Sequence, residues 1–133
     1  MKILYPFLFL FSVHPAFSET LGNPCQHIEV SQQVAQCAAY KQQQSDEHLN
    51  SNYKATLDRI RNQYGKIFSL AEQYISLVRE AQKNWIKLRD ADCKLEAFEV
   101  DETTEAYQAI IDNCHSRMSD DRSNYLKRIA TDI

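Results

Sequence analysis

The residues of this 133-residue chain that could do chemistry are few. Four cysteines (Cys25, Cys37, Cys93 and Cys114) and three histidines (His27, His48 and His115) are the candidate nucleophiles and metal ligands beyond the N-terminal segment. Their spacing suits neither role. Eleven residues separate the first cysteine pair and twenty the second, with no C-x-x-C and no closely spaced histidine pair, so a structural zinc site is not built. A hydrolase needs a nucleophile with its base, a positioned acid pair or a metal. No such set stands out, so no enzyme, catalytic residue, metal or cofactor is expected. His27 and His115 lie beside acids near the cysteines and are expected to be exposed polar residues near helix starts. His48 follows Asp46-Glu47 on what is expected to be a solvated stretch.

Disulfide chemistry suits the cysteines better. Met1-Lys2 precedes an apolar run from Ile3 to Val13, and Ala16 and Ser18 form an A-x-A-like pair. That is a secretion signal cleaved after Ser18; its apolar run falls short of the roughly 20 residues a spanning helix needs. Gly22-Asn23-Pro24 before Cys25 does not fit a lipidation site. A free periplasmic or secreted protein of 115 residues is expected, with no lipid or membrane anchor. In an oxidising compartment an even cysteine count implies disulfides. Of three possible connectivities, the local pairs Cys25–Cys37 and Cys93–Cys114 are favoured, each stabilising by about 3 kcal/mol.

Two further groups could bind a partner. In Gln82 to Cys93, Arg89 lies four residues after Trp85, the single tryptophan, and so on the same helical face. Arg89 could stack on the indole and bond a carboxylate of the third helix such as Asp121. Tryptophan and arginine dominate binding hot spots, but the favoured reading of Gln82, Trp85, Arg89 and Asp90 is structural: a core tryptophan with a part-buried ion pair that fixes helix register. From Asp90 to Glu105 there are seven acids and one base, Lys94. Asp101 and Glu102 suit the start of a following helix. Acids at the end of the preceding helix oppose its dipole, so beside a plain solvated loop the run also reads as a negative patch that steers a cationic protein, with Glu96, Glu99, Asp101 and Glu102 as candidate partner-binding residues. Removing Lys2 with the signal leaves a net charge of −4, which argues against nucleic acid.

The elements that must position these groups are helices. Only Gly22 and Gly65 are glycines, and only Pro24 is a proline beyond the signal, too little turn chemistry for a small sandwich or barrel. The expected fold is all-α: an antiparallel three-helix bundle, forming one domain over residues 19–133, stapled by disulfides at one end. Helices are expected at about 31–64, 67–97 and 103–130, with Ser31 as the first N-cap and a hairpin near Gly65. The polar stretch Tyr40 to His48 is expected to be partly exposed. In the second helix Ile67, Ala71, Tyr74, Val78, Ala81, Trp85, Leu88, Asp92 and Leu95 alternate steps of four and three, a heptad seam. Helix three carries Tyr107, Ile110, Ile111, Cys114, Met118, Tyr125 and Ile129 at helical spacing. Up-down-up packing brings all four cysteines to one end, so every pairing stays geometrically possible.

Asn23-Pro24-Cys25, Cys37-Ala38, Leu49 and Tyr53, the string Gln82-x-x-Trp85-x-x-x-Arg89-Asp90-x-x-Cys93, Cys114, Arg122 and Leu126 together resemble the LprI-like lysozyme inhibitor N-terminal domain family, over roughly Asn23 to Ile129. The resemblance implies a small exported helical protein that inhibits lysozyme. Its founding member is lipid-anchored, which this chain, lacking a lipidation site at Cys25, is not expected to be. The matching residues keep the fold, so no inhibitory residue carries over. Lysozymes are commonly cationic and cleave with carboxylates in a groove; an acidic link held by a disulfide would be a pre-organised element to block it. The alternative is an envelope adaptor or immunity-type module that binds another protein, suggested by Tyr40 to His48. The sequence leaves the oligomeric state open.

Overall fold

The computed structural model describes residues 22–131; the expected signal, residues 1–18, lies outside them. Three helices follow one another: α1 (Ser31–Tyr64), α2 (Phe68–Glu96) and α3 (Glu105–Lys127). Among the described residues there is no strand, and no helix is long and apolar enough to cross a membrane.

Local chemistry sets the ends. Ser31 is the first helical residue rather than the N-cap. Val30 takes that place in an extended conformation, and the Gln33 carboxamide folds back to accept from the amides of Glu29 (2.6 Å) and Val30 (3.1 Å). This satisfies donors that a helix start leaves without partners. Gly65 ends α1 with helical backbone angles, φ −61° and ψ −21°, so it is not the left-handed cap that a terminal glycine usually supplies. What it supplies is room, because an added Cβ would collide with the Arg61 carbonyl. α3 starts two residues later than expected: Thr104 is its N-cap and accepts from the Tyr107 amide at 3.2 Å.

Cross-helix hydrogen bonds give the topology. Ser45 meets Ser116 (2.8 Å), Asn52 meets Ser123 (2.6 Å) and Thr56 reaches the Leu126 carbonyl (3.0 Å). Partners on α1 and α3 advance together, so these two helices run parallel. Between α2 and α3 the order reverses, from Gln82–Arg122 to Arg89–Ser119 to Cys93–Cys114, so α2 runs back along the pair. α1 packs chiefly on α3. Their seam is built from small residues, with Ala38, Ser45 and Thr56 facing Ala109, Ser119 and Ser123, all buried. Small side chains let helix axes approach closely, and the buried hydroxyls find partners across the gap, as buried polar groups must. Arg59 closes the far end of the seam. It donates from Nε to the Ile129 carbonyl (3.1 Å) and from Nη2 to the Leu126 carbonyl (2.8 Å), satisfying carbonyls that the end of α3 leaves open.

Along its length the bundle has three tiers. Near the α1–α2 hairpin lies an apolar cluster of Leu57, Ile60, Ile75 and Val78, flanked by Tyr64 and Tyr74 edge to face. The middle is polar, around Arg89. Toward the starts of α1 and α3 lie both disulfides, Cys25–Cys37 and Cys93–Cys114. The thioether of Met118 touches both sulfurs of the second, at 3.8 and 3.9 Å.

The expected heptad seam needs correction. The heptad seam of α2 is inward only in part: Ala71 and Val78 are buried, but Ile67, Leu88 and Leu95 are exposed. The stripe that faces the bundle is Ala71, Ile75, Val78, Gln82, Trp85, Arg89 and Cys93. A straight helix drifts about 20° per heptad against a strict seven-residue repeat, and Cys93, bridged to α3, holds the later turns to the drifted stripe. The polar stretch Tyr40 to His48 is partly exposed, as expected, with Lys41, Gln43, Glu47 and His48 in solvent. Ser45 is buried and Asp46 half-buried, because the serine–serine contact with α3 draws this part of α1 inward.

Ser119→Leu tests the small-residue seam. The larger side chain is apolar, yet it overfills the gap and removes the hydroxyl that bonds Asp46. Urea unfolding should show a loss of about 1–3 kcal/mol. Unchanged stability would contradict close α1–α3 packing.

Candidate functional site

The polar tier is organised by one guanidinium. Arg89 lies on the inner face of α2, its side chain 13 % exposed. Its Nε and Nη2 donate to Asp90 Oδ1 at 3.0 and 2.9 Å. Nη1 lies 3.4 Å from Asp46 Oδ1 on α1 and 3.4 Å from Ser119 Oγ on α3. The Ser119 hydroxyl in turn donates to Asp46 at 2.8 Å, and Gln42 donates to the other Asp46 oxygen at 2.7 Å. The charge is thus shared among three helices, as a buried ion must be if it is not to be strongly destabilising. The α3 carboxylate suggested by the sequence, Asp121, is exposed and takes no part. At this level α3 turns Ser119 and Arg122 toward α2, so the acid comes from α1 instead.

Two guanidinium groups approach Trp85, with Arg89 Cζ 5.4 Å and Arg122 Cζ 5.7 Å from its ring centre. Both are within cation–π range. Arg122 also covers the Tyr125 ring at 4.8 Å and donates to Gln82 at 2.9 Å. Burial lowers its pKa from the ordinary value. Gln82, Trp85, Arg89 and Asp90 therefore all enter one network, whose partner residues come from α1 and α3.

His115 is a correction. Its side chain is only 17 % exposed, with Nε2 3.4 Å from Asp90 Oδ1, in an open cleft of about 270 Å³ bordered by Lys94, Tyr107 and Ile111. The third turn of α3 faces α2 here, which draws the imidazole in. Burial first, and then the Arg89 charge, hold it below its ordinary 6.5, against the pull of Asp90, Asp46 and Asp112. His27 and His48 are exposed. Among the described residues no group of three histidines, cysteines or carboxylates could hold a metal ion.

The acidic segment divides into residues committed to the fold and residues that face solvent. Asp90 serves Arg89, and Glu96 at the end of α2 pairs with Arg117 of α3. Asp101 accepts from the Thr103 amide (2.9 Å) and hydroxyl (2.7 Å), bonds that hold its carboxyl below the usual range. Glu99 and Glu102 are exposed and have no ion-pair partner among the described residues. Two apolar side chains accompany them outward: Phe98 is 82 % exposed and Leu95 72 %. Ala97, between these, is fully buried, and the Cys93–Cys114 bridge ties the base of the link to α3. Four acids were named from the sequence here; the two apolar neighbours were not, because an apolar residue near a helix end is ordinarily taken for core.

A family model described as "Lysozyme inhibitor LprI" matches residues 23–126. Among solved structures, a DUF1311 family protein from Pseudomonas putida KT2440 is similar, with 34 % sequence identity and a TM-score of 0.70, over 80 % of this chain and 100 % of that one. A search of the curated proteins finds no match.

His115 makes stability depend on pH. The folded pKa lies below the unfolded one, so the unfolded chain takes up its proton first. This stabilisation is fully present above the ordinary 6.5 and is lost as pH falls from there toward the folded pKa. Urea midpoints should drop between about pH 7.5 and about pH 5.5, and His115→Gln should flatten part of that drop; an unaltered pH slope would contradict the assignment. Arg89→Lys keeps the charge but loses the planar fork that reaches Asp90, Asp46 and Ser119. A loss of about 2–4 kcal/mol is expected by urea unfolding.

Proposed function

Because the chain belongs to the LprI lysozyme-inhibitor family, we propose that it is a non-enzymatic binding protein that inhibits a lysozyme or related cell-wall hydrolase. In this reading the signal is removed after Ser18, and the rest acts as a single domain in the periplasm or outside the cell, with no lipid anchor and no cofactor. The observation that carries the reading is the α2–α3 link, where Phe98 stands exposed between the acids Glu96 and Glu99 on a base held by a disulfide. A cationic hydrolase that cleaves with carboxylates in a groove is complementary to such an element. Exposed acids steer a cationic partner toward the link, and a large apolar side chain gives the contact an anchor. Holding the link in place before binding reduces the entropy lost on association.

The docking residues in this reading are Glu99 and Glu102, with Phe98 as anchor. Glu96 and Asp101 contribute charge but are engaged by Arg117 and Thr103.

Purified mature protein mixed with a cationic lysozyme should slow lysis of a cell-wall substrate at low salt. Absence of inhibition at a severalfold molar excess would refute the reading. Phe98→Ser should raise the concentration needed for half inhibition by about tenfold or more, with no loss of stability, since the ring is exposed. Glu99→Lys with Glu102→Lys should weaken inhibition most at low salt. Equal potency of both variants with the wild type would remove the link from the inhibitory surface.

A further inference from the structure

α2 carries a second stripe besides the one that faces its own bundle. Leu70, Leu77, Asn84 and Ala91 recur every seven residues, and Tyr74, Ala81, Leu88 and Leu95 follow each by four. The steps alternate four and three over the length of the helix, and seven of the eight positions are apolar. At 100° per residue this stripe points about 100–120° away from the buried one. Apart from Tyr74, which leans on Tyr64, neither α1 nor α3 covers it: Leu77 is 65 % exposed, Leu88 55 % and Leu70 41 %, and Ala81, Asn84 and Ala91 are exposed as well. Scattered exposed leucines are ordinary, but a continuous apolar stripe about 38 Å long marks a contact surface. A strict seven-residue repeat is the pattern of a helix that packs against another helix.

We infer that a second copy of this chain covers the stripe, pairing α2 with α2 in antiparallel orientation. The pattern is self-complementary in that register. Leu70 then lies opposite Leu95 of the second copy and Leu77 opposite its Leu88. Asn84 faces Ala81, and Tyr74, its ring partly engaged by Tyr64 of its own bundle, faces the small Ala91. Every layer thus joins two leucines or a larger side chain with an alanine, and the single polar position falls at the centre, beside the two-fold axis. A lone asparagine at such a seam fixes register. The charges along the open edge of the stripe agree. Gln73, Glu80, Lys87 and Lys94 follow at intervals of seven, and the same register sets Glu80 opposite Lys87 of the second copy, twice by symmetry. Glu80 and Lys87 have no ion-pair partner within the chain among the described residues. A C₂ contact of this kind closes on itself and does not propagate into fibres.

Sedimentation equilibrium of the mature protein from about 1 to about 300 μM tests the inference. A monomer–dimer equilibrium is expected, and a monomer throughout would overturn it. Leu77→Glu with Leu88→Glu should abolish the dimer while circular dichroism and thermal unfolding of the monomer stay unchanged, since neither side chain is buried in the bundle. A double variant that dimerises as well as the wild type would also overturn it. Orientation has its own test. At low salt Glu80→Lys and Lys87→Glu should each weaken the dimer by about tenfold, and the two together should restore it. Failure of the double reversal to restore the dimer would refute the antiparallel register. The lysis assay on the dimer-deficient variant keeps this inference separate from the inhibitory role.

Discussion

The guanidinium of Arg89 touches all three helices, and the arrangement of the bundle follows from keeping that charge satisfied away from bulk water. It needs an acid from α1, which Asp46 provides, an acid beside it on α2, which is Asp90, and a hydroxyl from α3, which is Ser119. Those partners can converge only if α1 and α3 approach closely, and the buried serines, alanines and threonine of their seam permit this. They converge at one height only, so the ion also fixes the sliding register of α2. Trp85 lies against that charge and within cation–π range of Arg122 as well. Removing one member would leave a buried charge without its counterpart, which is costlier than never having built the pair.

Fixing register in the middle separates the work of the two ends. Near the hairpin, leucine, isoleucine and valine form an ordinary apolar core. At the opposite end α2 contributes little apolar surface, and covalent bonds take over: the Cys93–Cys114 bridge and the Met118 thioether hold the base of the α2–α3 link. That division allows the link to display Phe98, Glu99 and Glu102 without endangering the fold. A protein that must present a charged, aromatic surface to a partner gains from placing it where stability rests on a disulfide rather than on burial of the presented side chains.

The helical class was legible because glycine and proline are nearly absent; the local pairing of cysteines was favoured but not decided, because up-down-up packing gathers all four at one end. Other features were hidden for identifiable reasons. The α1–α3 seam is made largely of serine, threonine and alanine, with asparagine and aspartate beside them, and a search for large apolar residues at helical spacing passes over it. Asp46 lies in a polar run that resembles a solvated face, and nothing in the sequence marks it as the partner of a residue 43 positions away. The period of α2 was seen but merged: residues 71, 78 and 85 belong to the inner stripe and 81, 88 and 95 to the outer one. A seven-residue repeat fits both in turn, and only the drift of a straight helix separates them. At the candidate site the acids were visible as a charge run. Which of them are engaged, and that Phe98 stands among them, depends on where Arg117, Thr103 and the buried Ala97 lie in space.

The central functional claim is that the acidic link steers and docks a cationic cell-wall hydrolase, and association kinetics test it most directly. The rate constants for the mature protein binding an immobilised cationic lysozyme can be measured over a series of salt concentrations. The account predicts an association rate that falls steeply as ionic strength rises, with a dissociation rate that changes little. An association rate indifferent to salt, or no binding at the lowest ionic strength, would contradict it.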